Sequence, residues 1–188
     1  VAASIDAQLV LYPGSFVDLA ASSAFRSVTY VDSDARAARF FADRDEVDAI
    51  VAEFGIEGAT WTFRHADYRT ELGLADESFD LLVSLYAGFV SEGCARYVRP
   101  GGWLLVNSSH GDVALTALSA QWELVGVVLI RGGGYRVRLS GLDGFLIPKR
   151  GAEPTREEIM ESGRGIAYTR PAAAYLFQKS ARGDRELR

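Results

Sequence analysis

Apolar and polar positions fall in blocks along this chain, and the period changes from block to block. Leu9, Val10 and Leu11 form an apolar run that meets a Pro13-Gly14 turn; after a short Ala-rich crossover, residues 28–31 form a second run that stops on Asp32. A strand, a glycine turn, a crossover and a second strand ending on a carboxylate make the first half of a nucleotide-binding βαβ unit. From Ser33 the period becomes helical, with Val47, Ile50, Val51 and Phe54 at i, i+3, i+4 and i+7. That spacing predicts one buried helix face, capped by Ser33 or Asp34 and closed by Gly55 in a left-handed conformation. Residues 60–65 read as a third strand running into Asp67, and residues 72–78 as a loop. Residues 79–85, FDLLVSL, form the apolar run of a parallel strand covered on both faces, at the centre of a sheet.

After the turn at residues 86–88, Val90, Cys94, Tyr97 and Val98 mark another helix face, stopped by Pro100 and Gly101-Gly102. Residues 103–106 are the next buried strand and open into the polar stretch 107–112, where Asp112 is placed to cap a short helix carrying Ala114, Leu115 and Leu118. Residues 122–130 are a further strand. Six strand signals alternating with helical patterns predict a doubly wound, mostly parallel α/β sheet with helices on both faces. Beyond residues 132–134 the alternation breaks: residues 135–139 and 145–147 read as a hairpin around the turn residues 141–144. Thr155-Arg156-Glu157-Glu158 is a capping box that predicts a helix to Gly163; residues 173–179 are a last strand, and residues 183–188 are expected to fray.

Composition places these elements in one domain, 1–188, with 48% hydrophobic and 24% charged residues. No apolar run approaches the roughly 20 residues of a membrane span. The N-terminus lacks the basic and apolar regions of a signal peptide, and the lone Cys94 excludes an internal disulfide, so a reducing, cytoplasmic setting is expected. His65, His110 and Cys94 lie too far apart in the chain for a zinc cluster, so no metal is expected. Residues 1–130 carry 18 acidic and 8 basic side chains, whereas residues 131–188 carry 7 acidic and 12 basic. The basic last third can face an anionic partner, but no basic–aromatic stripe favours nucleic acid. A Gly-x-Ser-x-Gly elbow and a phosphate-loop Gly-Lys-Ser/Thr element are both missing, which argues against a serine hydrolase and a phosphate-loop NTPase.

LVLYPGS, VTYVDSD, FRHADY, FDLLVSLYAGF and YVRPGGWLLVN, taken in this order, resemble the class I S-adenosylmethionine-dependent methyltransferase superfamily, over residues 8–179. The resemblance implies a seven-stranded sheet whose late antiparallel pair is 122–130 and 173–179, with residues 131–171 inserted between them as a hairpin plus helix that helps form the acceptor pocket. It implies S-adenosyl-L-methionine as cofactor, held by Tyr12, Gly14 and Ser15 of the first loop, by Asp32 on the ribose hydroxyls, by Asp67 and Tyr68 at the adenine, and by Ser84 at the end of the fourth strand. Asp32 also lies 18 residues after Gly14, near the offset of a ribose carboxylate. Members of the superfamily place an acidic residue and three alternating glycines in the first loop. This chain has Tyr12 for the acidic residue and Phe16 and Asp18 for two of the glycines, so one glycine of three survives.

Methyl transfer from a sulfonium is an in-line displacement that rests on positioning, with a base needed only where the nucleophile must lose a proton. Asn107, Ser109, His110 and Asp112 follow a central strand at the edge where open α/β sheets bind ligands; His110 is the candidate base, with Asp112 to orient it. Tyr86 is a candidate hydrogen-bonding group for the acceptor, and Arg164, Tyr168 and Arg170 a candidate clamp for a carboxylate or phosphate. An Asn-Pro-Pro-Tyr-like signature is missing after the fourth strand, against amino-group and nucleic-acid-base acceptors. The expectation is a methyltransferase for a small-molecule acceptor, with an anionic group on that acceptor and a homodimer left open. The alternative is a methyltransferase-like binding or scaffold protein without catalysis, motivated by Tyr12, Phe16 and Asp18; a NAD enzyme is weaker for want of Gly-x-Gly-x-x-Gly.

Overall fold

The apolar runs become the centre of an eight-stranded sheet. The computed structural model describes residues 1–181; the fraying expected at 183–188 lies outside them. The strands are β1 (Leu9–Pro13), β2 (Ser27–Asp32), β3 (Thr60–His65), β4 (Phe79–Ser84), β5 (Val98–Val106), β6 (Trp122–Arg131), β7 (Gly134–Arg138) and β8 (Ala174–Lys179). Their order is β3-β2-β1-β4-β5-β8-β6-β7. From β3 to β5 every pairing is parallel, and β8 enters antiparallel between β5 and β6. Strands β1 and β4 are central because both their faces are apolar: Leu11 and Leu82 pack in one core, Val10, Tyr12, Leu81 and Val83 in the other. Each such fully buried Leu or Val contributes about 1.5–3 kcal/mol.

The helices are α1 (Ala35–Ala42), α2 (Arg44–Phe54), α3 (Val90–Cys94), α4 (Asp112–Leu118) and α5 (Arg156–Ser162). The helix expected after Ser33 is divided in two, since Asp43 has left helical geometry and caps α2 by accepting from Glu46 N. Asp34 caps α1 by accepting from Arg36 N at 2.7 Å. Val47 and Val51 are buried as the periodicity requires, but Phe54 is exposed. Gly55 is extended rather than left-handed. Its glycine is needed for space instead: a Cβ there would lie 2.3 Å from Val51 O.

The hairpin also differs from expectation. Strand β7 pairs with β6, Ile130 opposite Tyr135, and residues 145–147 form no strand with it. Gly132 and Gly133 both sit at positive φ, 58° and 77°, the backbone of a tight hairpin turn, and this short connection outcompetes the longer loop at 141–144. β7 is therefore an eighth strand on the sheet edge, beyond the seven expected. β5 begins at Val98, earlier than residue 103, and a bulge between Phe79 and Leu81 absorbs the register shift opposite Pro100 and the two glycines. The capping box forms in full, and α5 ends on Gly163 at φ 58°. Among the described residues, no helix is long and apolar enough to cross a membrane.

Candidate functional site

Strands β1, β2, β4 and β5 end on one edge of the sheet, and between β1 and β4 the connections diverge to opposite sides. Ligands of open α/β sheets bind at such a divergence. The lips of this crevice are the loops after β1, β3 and β4, and each is held by groups of its own.

In the loop after β1, Gly14 N donates to Val31 O at 2.7 Å and Phe16 N to Asp32 Oδ2 at 2.7 Å. The Tyr12 phenol is buried and donates to Asp18 Oδ2 at 2.9 Å, while Asp18 Oδ1 accepts from Ala20 N. Burial and then the Asp18 carboxylate push the Tyr12 phenol well above its ordinary pKa, so it stays neutral. Two of the departures from the glycine pattern thus hold the loop: Tyr12 and Asp18 bond each other. Phe16 stands at φ 47°, an uncommon conformation for a side chain of its size, with the Arg36 guanidinium 5.0 Å from its ring centroid. Gly14 allows close approach of the β4 loop, because a Cβ there would lie 2.2 Å from Ala87 Cβ. Ser15 is buried, and among the described residues its hydroxyl has no partner.

Asp32 is half-buried at the end of β2. Its two oxygens accept from Phe16 N and Asp34 N, both at 2.7 Å, and a carboxylate with two such bonds retains two acceptor positions. Asp34 is forked by Arg36, which holds its carboxyl down to about 2. Asp67 is forked by Arg69 in the same way and also accepts from Arg69 N. Both Asp67 oxygens are thus engaged by Arg69, more fully than those of Asp32 by its two backbone donors. Beside it, Tyr68 donates to Ala87 O at 2.6 Å, and burial raises its pKa. Gly14, Ala87 and Tyr68 therefore form a clasp that draws the loops after β1, β3 and β4 together.

Asp112 is turned away from His110. Its carboxylate lies inside the fold, 2.5 Å from Ser84 Oγ, and accepts from the backbone N and hydroxyl of Ser91. Gly111, at φ 88°, takes the cap position expected for Asp112. The expected orientation of His110 by Asp112 is thus replaced by a buried knot, in which loss of water raises the Asp112 pKa against the lowering effect of its serine donors. Ser84, buried at the end of β4, belongs to the same knot. His110 is exposed and, among the described residues, has no hydrogen-bond partner. Asn107 is buried, and its Oδ1 accepts from Ser109 Oγ at 2.8 Å and Tyr86 N at 3.2 Å. Tyr86 itself is 76% exposed at φ 61°, presented outward at the mouth of the crevice.

The insertion, residues 131–171, is seated directly on the loop after β5. Gly165 N donates to Ser109 O at 3.2 Å, and a Cβ on Gly165 would fall 1.6 Å from Ser108 O. Arg156 of α5 pairs with Glu92 of α3. Arg164 is exposed beside this contact, but Tyr168 is buried against Tyr175, ring centroids 5.6 Å apart, and Arg170 donates to the carbonyls of Gly141 and Asp143 while covering Phe145. Tyr168 and Arg170 are therefore not a clamp for a ligand; apolar packing and loop carbonyls use them.

Several contacts escape sequence reading. Ser91 sits on an apolar helix face with nothing to distinguish it, and Ala87 is an ordinary turn residue. The two arginine forks have a visible signal, Asp34-x-Arg36 and Asp67-x-Arg69, the same spacing after two successive strands.

Searches against family models and against curated proteins give no match. Solved structures do match. A protein described by the conversion of a disulfide bond into a thioacetal group during echinomycin biosynthesis is 14% identical, with TM-score 0.51 over 97% of this chain and 80% of that one. A SAM-dependent methyltransferase from Methanosarcina mazei is 18% identical, with TM-score 0.50 over 94% of this chain and 93% of that one. At such identities the likeness is one of fold: the chain has the class I methyltransferase fold.

Proposed function

We propose that this protein is an S-adenosylmethionine-dependent methyltransferase acting on a small-molecule acceptor. The observation that carries the reading is Asp32, a half-buried carboxylate at the divergence of the sheet with two acceptor positions left. The orphaned Ser15 hydroxyl, buried in the adjoining loop, is a second group in want of a partner there. These residues fit the ribose end of the cofactor; Gly14 is spent on Ala87. The cofactor supplies an electrophilic methyl group. The chain's own contributions are to bind the ribose through Asp32, to fix Tyr86 through Asn107, and to offer His110 as base on the side of the insertion.

Calorimetry with S-adenosylhomocysteine tests the reading. The protein is expected to bind, and Asp32→Ala to weaken binding by about 1.5–3 kcal/mol for each hydroxyl bond lost. Absence of heat with folded protein at millimolar ligand overturns it. The clasp of Gly14, Ala87 and Tyr68 supports a second reading, a methyltransferase-like scaffold whose crevice stays shut. Under that reading the parent protein gives no heat with S-adenosylhomocysteine, whereas Ala87→Gly, which removes the Cβ packed on Gly14, admits the ligand.

A further inference from the structure

We propose that the groove between residues 149–150 and 165–167 binds an oxyanion, a carboxylate or phosphate carried by the acceptor, through Lys149, Arg150 and Arg164. The proposal rests on the acceptor side of the methyltransferase reading, but its physical basis is separate from the crevice. The groove, about 410 Å³, is lined by Lys149, Arg150, Gly165, Ile166 and Ala167. Its floor is held by pairing of the two stretches: Lys149 N donates to Ala167 O at 2.7 Å, and Pro148 bridges Tyr168. The cations are therefore mounted on a fixed backbone.

Among the described residues, Arg36, Arg69, Arg96, Arg99 and Arg156 are paired with carboxylates, whereas Lys149, Arg150 and Arg164 are paired with none. Among the described residues other cations, such as Arg131 and Arg136 of the β6–β7 hairpin, also lack a carboxylate partner, but here Lys149 and Arg150 line one groove together. Glu153, close in sequence, lines a separate recess with Pro154, Ile159 and Tyr168. Cations gathered without a counter-charge repel one another, and an oxyanion relieves that repulsion while accepting charge-assisted hydrogen bonds. Arginine presents a fork to such an anion and lysine a point charge, so the set suits either carboxylate or phosphate.

Position gives the groove its role. Gly165 lies against Ser108 O and donates to Ser109 O, so the groove adjoins the loop that carries His110. An anionic group held there anchors one end of a small molecule while its reacting end reaches the edge of the sheet. On this proposal Lys149 and Arg150, with Arg164, take the role expected of Tyr168 and Arg170.

The test is a titration of the full chain with pyrophosphate and, separately, citrate, at constant ionic strength, followed by backbone amide NMR. Saturable shifts are expected at 149–150 and 165–167, and Lys149→Ala/Arg150→Ala is expected to weaken the tighter of the two anions about tenfold. The better-bound anion tells phosphate from carboxylate. Arg131→Ala/Arg136→Ala on the β6–β7 hairpin is the control for general basic charge, and should change affinity less than about twofold. Shifts that do not saturate, or equal weakening by both double variants, overturn the proposal. S-adenosylhomocysteine is titrated into the same samples: its failure to bind, with anion binding intact, removes the methyltransferase reading and leaves the groove, whereas the reverse pattern removes the groove alone.

Discussion

The crevice and the insertion handle their charges in opposite ways. Around the crevice the carboxylates are met by donors of the crevice's own loops: Asp32 by Phe16 N and Asp34 N, Asp34 by Arg36, Asp67 by Arg69, Asp18 by Tyr12. On the insertion Lys149 and Arg150 line a groove and, among the described residues, have no carboxylate partner. Satisfied charges hold loops closed, and unsatisfied ones wait for a partner. The two regions meet at Asp112, which binds the end of β4 through Ser84 and α3 through Ser91, while α3 reaches α5 through Glu92 and Arg156.

Substituting Gly14 attacks the closed region most directly. Gly14→Ala adds a Cβ that overlaps Ala87 and must sit at φ 65°, and is expected to cost about 2–5 kcal/mol in urea unfolding. In the double variant Gly14→Ala/Ala87→Gly the overlap is relieved and about 1–3 kcal/mol should return, the rest being the backbone conformation. If the double variant recovers nothing, the contact with Ala87 is not what Gly14 serves.

The insertion is broken next, with a smaller cost. Gly165→Ala drives a Cβ into Ser108 O, so the insertion must lift from the β5 loop, at about 1–3 kcal/mol. Limited proteolysis should cut within 149–165 sooner than in the parent, with the crevice's S-adenosylhomocysteine response little changed. Unaltered cleavage would show that this seat does not hold the insertion.

The junction gives the smallest effect and the clearest sign. The folded pKa of Asp112 lies above its unfolded value of about 3.9, so the native state holds the proton longer. Its contribution to stability is full below about pH 3.9 and is lost as pH rises through the folded pKa, with a slope of at most about 1.4 kcal/mol per pH unit. Asp112→Asn removes that titration, so the difference in urea midpoint between variant and parent should move in the variant's favour as pH rises from 4 and then level off. A difference flat across pH would mean that the carboxyl is not perturbed by its burial.

Much of the fold is legible in the chain because it depends on period and punctuation. The runs 9–11, 28–31 and 79–85 become central strands since alternate residues on both faces are apolar, and the capping box at Thr155 forms because its two bonds are local. The misread hairpin shows where legibility stops: Tyr135 has a strand's character on either pairing, and the partner is chosen by the turn at Gly132-Gly133. The break at Asp43 is similar, since an acidic residue caps a helix as readily as it continues one.

The site divides along the same line. Sequence alone determined an alternating, mostly parallel α/β sheet and placed Asp32 at a strand end, because hydrophobic period and the chain position of a carboxylate survive without knowledge of neighbours; its class I methyltransferase type came from the resemblance of motifs. Only tertiary structure decided that Asp112 faces Ser84 and Ser91 and not His110, that Gly14 is filled by Ala87, and that Lys149 and Arg150 line a groove while Arg170 is held by loop carbonyls. Those choices depend on which groups from distant parts of the chain arrive first at a given donor or space, and burial then makes each choice costly to reverse.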